Sequence, residues 1–108
     1  MGEDEKAVFK IISMAGDAFS RMMEAAACAR GGDFSGALER MEQAEALIVE
    51  AHKVQTSLLV GEARGDQVNV TMLMVHAQDH LMNAMLAKPL VGEIINLYQV
   101  IHDGRVSG

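Results

Sequence analysis

A single proline interrupts the 108 residues of this chain, and paired glycines punctuate it at two places, Gly31-Gly32 and Gly61 with Gly65. These breaks leave three long stretches that little would stop from being helical. Half of the residues are hydrophobic but only 4% are aromatic, so the core has to come from Ala, Leu, Ile, Val and nine Met. That palette favours helices over sheets. One domain spanning residues 1–108, with one modest core, is what this length supports.

The first helix is expected over about residues 4–30, opening on acidic residues that suit the positive end of the helix dipole and stopping at Gly31-Gly32. Val8, Ile12, Ala15, Phe19, Met22 and Ala26 follow the spacing of its inner face. Asp33 can cap a second helix over about 34–59, with Ala37, Met41, Ala44, Ile48, Ala51 and Leu58 inward. The segment from Gly61 to Gln67 reads as the next connection. A third helix, starting near Val68 or Asn69, covers about 69–88. Pro89 should kink or break it before it continues or restarts over about 91–102, leaving a frayed tail from Asp103. The expected fold is all-α, an up-down antiparallel three-helix bundle.

The net charge of -6 and the lack of any basic cluster argue against nucleic acid or an anionic membrane surface as partner. Cys28, alone among alanines, can form no intrachain disulfide and reads as a small core residue. No apolar run approaches a membrane span of ~20 residues and the start resembles no secretory signal, so a cytoplasmic location is expected.

The stretch from Val75 to Met82 places His76, Asp79 and His80 in an otherwise apolar helix. At about 100° per residue, Asn69, Met72, Asp79, His80 and Asn83 lie within roughly 60° of His76. Val70, Met74, Leu81 and Met85 take the opposite, core-facing side, while Thr71, Val75 and Met82 add a further apolar flank. A three-helix monomer cannot cover the whole circumference of this helix, so the flank predicts a subunit contact beside the polar stripe.

The string VHAQDHLM at 75–82, together with Ala15-Gly16, Glu24-Ala25, Gly32-Asp33-Phe34, Ala51-His52, Gln55-Thr56 and Glu62-Ala63, resembles the lactose/cellobiose (chitobiose) type of enzyme IIA of the bacterial sugar phosphotransferase system. The likeness extends over about Val8 to Tyr98. It implies a cytosolic homotrimer that takes a phosphoryl group from the phosphocarrier HPr and passes it to the IIB component during disaccharide uptake. His76 matches the phosphorylated histidine, at Nε2. Asp79 matches the aspartate gathered on the threefold axis with a divalent cation, expected to be magnesium. Pro89 departs from the family pattern.

The residues can support that chemistry. Neutral imidazole is a nucleophile that can carry phosphate as a phosphoramidate, and the chain has no Gly-rich phosphate loop or Walker-type lysine. His80, one turn on, can reach a phosphoryl oxygen or fix the tautomer of His76. Gln78 points about 160° away from His76, so it would touch a phosphoryl group only in a neighbouring subunit, and its plainer role is an interface hydrogen bond. Three copies of Asp79 brought together require protonation, water or a shared cation. Two other readings fit the sequence: a histidine-phosphotransfer module of a two-component relay, which usually carries a basic residue near its histidine although Val70 to Ala87 contain none, and a non-catalytic oligomerisation unit. A zinc site through His76, His80 and His52 lacks the hydrolase motif.

Overall fold

The computed structural model describes residues 2–104. Three helices follow one another: α1 (Glu3–Arg30), α2 (Phe34–Ala63) and α3 (Met72–His102). They pack into one rod of 58 × 21 × 20 Å. The all-α, three-helix expectation holds; the tail expected beyond Asp103 lies, from residue 105, outside the described residues.

Helix α1 opens on Glu3, Asp4 and Glu5 without a side-chain cap, so dipole complementarity is what marks its start. It ends where Gly32 takes φ 86° and Asp33 N–H reaches back to the Cys28 carbonyl at 2.8 Å. A side chain at position 32 would meet both that backbone conformation and the His102 ring, 3.0 Å from an added Cβ. His102 packs edge-on to Phe34, with ring centroids 5.3 Å apart, so the last turn of α3 closes over the α1–α2 connection. Asp33 caps α2 as expected, accepting from the Gly36 N–H at 2.9 Å.

Two boundaries differ from expectation. Helix α2 runs past 59 to Ala63, because of its two terminal glycines only Gly65, at φ 95°, has the left-handed backbone that ends a helix. Gly61 stays helical and buried, its carbonyl accepting the Asp66 N–H at 3.0 Å. Helix α3 starts at Met72, later than Asn69, because the Thr71 hydroxyl accepts the Met74 N–H at 3.1 Å and the run Val68 to Thr71 stays non-helical. Asn69 and Val70 therefore drop out of the helical stripe, and Val70 is 76% exposed instead of core-facing.

Pro89 does not break α3, which is one element to His102. Proline removes one helical donor, yet Val91 is buried just beyond it, Ile95 packs against the core, and Lys88 pairs with Glu45 of α2 at 2.5 Å. Packing on both sides of the proline outweighs one missing hydrogen bond.

The core is built largely of alanine: Ala15, Ala18, Ala44, Ala51, Ala77 and Ala84 are essentially inaccessible, with Ile11, Met22 and Leu81 the largest fully buried side chains. Small residues let α1 lie close to both other helices, whereas α2 and α3 meet least. The buried face of α1 is rotated from the expected one. Ile11, Ala18 and Ala25 are inside, and Phe19 is left 45% exposed beside α3. Cys28 is half-buried against the smaller cluster formed by Ala25, Ala29 and Ala37, as its setting among alanines suggested.

Candidate functional site

His76 sits in the second turn of α3 and is exposed; His80, one turn further, is half-buried. Their rings meet edge to face, 4.4 Å between centroids at 77°. The helical spacing alone brings them together, because residues four apart stack on one face. Ala77 and Leu81, between and beyond them, are buried and fix the rotation of the helix, so the pair faces outward at the side of α1.

Beside His80 lies a cavity of about 390 Å³ lined by Gly16, Phe19, His80 and Asn83. The absence of a side chain at Gly16 and the outward turn of Phe19 open this space next to His80. A cavity of equal volume at the start of α1 is edged by Glu3, Asp4 and Glu5, which would repel an anionic group.

Asp79 is exposed and lies on the side of α3 that the bundle leaves uncovered. Val75, Met82, Leu86, Leu90, Ile94 and Leu97 are all exposed along that side, three or four residues apart, and Asp79 fills the one polar step. No group of three or more His, Cys, Asp or Glu side chains within metal-binding reach occurs among the described residues. A cation at Asp79 would thus need further copies of the chain. An exposed carboxylate supplying one hard oxygen donor set per subunit suits such a shared site.

Gln78 is not beside His76. It turns to α2, where the buried Gln55 donates from Nε2 to its Oε1, while its own Nε2 lies 3.8 Å from the Met74 sulfur. His52 is exposed near Lys88 and Pro89, and joins neither histidine in a zinc site. Sequence reasoning gave no role to Gln55, although a polar residue at the inward register of Ala44, Ile48 and Ala51 was a visible signal. It placed Phe19 in the core, where nothing in the spacing distinguishes it from Ala18.

The fold and the site together define a small three-helix domain that presents a stacked histidine pair on its third helix. The chain belongs to the family described as the PTS system, Lactose/Cellobiose specific IIA subunit, which matches residues 6–99. It is 45% identical over 103 residues to the lichenan-specific phosphotransferase enzyme IIA component of Bacillus subtilis, covering 95% of this chain and 94% of that one. The crystal structure of the cellobiose-specific enzyme IIA from Bacillus anthracis superposes with a TM-score of 0.93 at 42% identity, over 95% of this chain and 94% of the other. The chitobiose IIA of Escherichia coli, solved in complex with HPr, gives 0.81 at 38% identity, over 94% and 99%. The protein is thus a phosphotransferase system IIA component acting in sugar uptake, which displaces the two-component and purely structural readings. No helix among the described residues is long and apolar enough to cross a membrane.

Proposed function

We propose that His76 is the phosphoryl acceptor and donor of this carrier, taking the group from phospho-HPr and passing it to a IIB component in the cytoplasm. The observation that carries this is the exposure of His76 against a half-buried partner ring, His80. A partner protein can reach the first while the second steadies it. The unprotonated nitrogen of His76, taken as Nε2, attacks phosphorus in line. The donor's P–N bond breaks as the new one forms, and the electron pair returns to the donor imidazole. The same exchange in reverse geometry delivers the group onward. Positioning supplies most of the catalysis. His80 is the residue placed to orient the ring or to donate to a phosphoryl oxygen.

The working unit in this reading is a homotrimer. Its support is the exposed side of α3, apolar at every step but Asp79, a surface that water contact disfavours. With that side on a threefold axis, three copies of Asp79 converge, and a divalent cation such as magnesium would be held by their carboxylates and would offset their charge. Gln78, on the far flank of α3, would then meet the phosphoryl group of a neighbouring subunit.

Incubation with phosphoenolpyruvate and the general phosphotransferase proteins tests the assignment. Wild type should acquire one acid-labile phosphate per chain, located by mass spectrometry on His76, and His76→Gln should acquire none. Phosphate retained by His76→Gln overturns the proposal.

A further inference from the structure

We infer that Gln55 is a positioning residue for phosphoryl transfer: from α2 it holds the carboxamide of Gln78 by its oxygen and so turns the NH2 of Gln78 toward the phosphorylated His76 of the adjacent subunit. The inference rests on the trimeric reading above and adds to it a residue and a polarity.

Gln55 is the one buried polar residue among those described, 7% exposed, in an inward register otherwise filled by Ala44, Ile48 and Ala51. A carboxamide is unfavourable there unless it is bonded, and an apolar side chain would fill the position without that requirement. Its bond goes to Gln78, with the Nε2 of Gln55 as donor and the Oε1 of Gln78 as acceptor. The acceptor end of Gln78 is thereby engaged. Its NH2 has only the Met74 sulfur at 3.8 Å, a weak acceptor, and keeps donor capacity for an anion.

Measured around α3 from Asp79, His76 lies about 60° to one side and Gln78 about 100° to the other. The first flank borders α1, through the cavity that Gly16 and Phe19 share with His80; the second borders α2, through Gln55. In a closed ring of parallel copies about Asp79, each α1-side flank faces the α2-side flank of the next subunit. His76 and Gln78 differ by two residues, about 3 Å of helical rise, which is within side-chain reach. An amide that presented its oxygen there would repel the phosphoryl oxygens. The bond from Gln55 selects the attractive orientation.

The test uses full-length Gln55→Met, Gln55→Glu, Gln78→Met and the Gln55→Met/Gln78→Met double variant. Each is checked for trimer by sedimentation and assayed for single-turnover phosphorylation by phospho-HPr. Gln78→Met should slow transfer by about ten- to a hundredfold, the loss of one charge-assisted hydrogen bond. Gln55→Met should slow it several-fold and add nothing in the Gln78→Met background. Gln55→Glu supplies a readout that packing alone would not move. A protonated carboxyl can still donate to Gln78, whereas a carboxylate only accepts, so transfer by this variant should fall as pH rises, unlike wild type. A Gln55→Glu profile parallel to wild type, or effects of the two Met variants that multiply, overturns the inference. If Gln78→Met is slow and Gln55→Met is not, the inter-subunit site stands and the role of Gln55 falls. If neither is slow, both fall.

Discussion

Thr71 is the residue that decides where the helix bearing His76 begins, and replacing it with Val isolates that role. Valine keeps the β-branched shape and removes the hydroxyl that accepts from the Met74 N–H at 3.1 Å. The Thr71 carbonyl still accepts from the Val75 N–H at 3.1 Å, so one bond of two is lost at the cap. Loss of an N-cap costs ~0.5–2 kcal/mol, and a value of about 1 kcal/mol suits a cap whose threonine is exposed but whose Met74 is buried. At that cost, opening of the first turn becomes about fivefold more populated. Amide hydrogen exchange at Val75 and His76 should quicken by about that factor, while the last turn of α3, which frays separately, keeps its wild-type rates. Thr71→Ser should restore both exchange and stability. Phosphorylation of His76 should change by less than about twofold, because the intact helix remains the dominant state. Faster exchange in Thr71→Ser equal to that in Thr71→Val would refute the cap argument and leave the methyl group as the stabilising element.

Three further outcomes can be checked. Leu81→Ala, at a fully buried position among alanines that cannot collapse to fill the space, should lose about 3–4 kcal/mol and lower Tm by more than about 12 °C in a calorimetric scan. Gly16→Ala should raise stability by about 0.5–1 kcal/mol, since an added Cβ meets nothing within 4 Å and a helix-interior glycine is unfavourable; denaturant titration reads this directly. Asp79→Leu should tighten the proposed trimer by about a hundredfold in cation-free buffer, from ~1 kcal/mol of repulsion per carboxylate pair at ~4 Å in water-like surroundings, and should abolish any dependence of sedimentation on magnesium.

The fold was legible because most of its determinants are local: Gly32 ends α1 by a backbone conformation that few other residues adopt, and Asp33 caps α2 as its type suggests, whereas the end of α2 was not, since nothing in the sequence tells the helical Gly61 from the left-handed Gly65. The His76–His80 contact was legible for the same reason, being set by helical spacing alone. Features that needed tertiary information were not. Pro89 lies in an unbroken helix because Val91 and the Lys88–Glu45 pair hold the chain on either side of it. Phe19 and Ile12 match the apolar period as well as Ala18 and Ile11 do, and only the direction of the neighbouring helices decides which pair is buried. Gln55 and Gln78 are 23 residues apart, a pairing that no single helix pattern contains.

The alanines at the centre of the bundle set the distance between backbones, and with it the frame from which the histidines project. Substitutions on the outer faces can adapt the chain to different protein partners without moving that frame. Enlarging one central methyl would instead push two helices apart, and the reacting ring would shift with them.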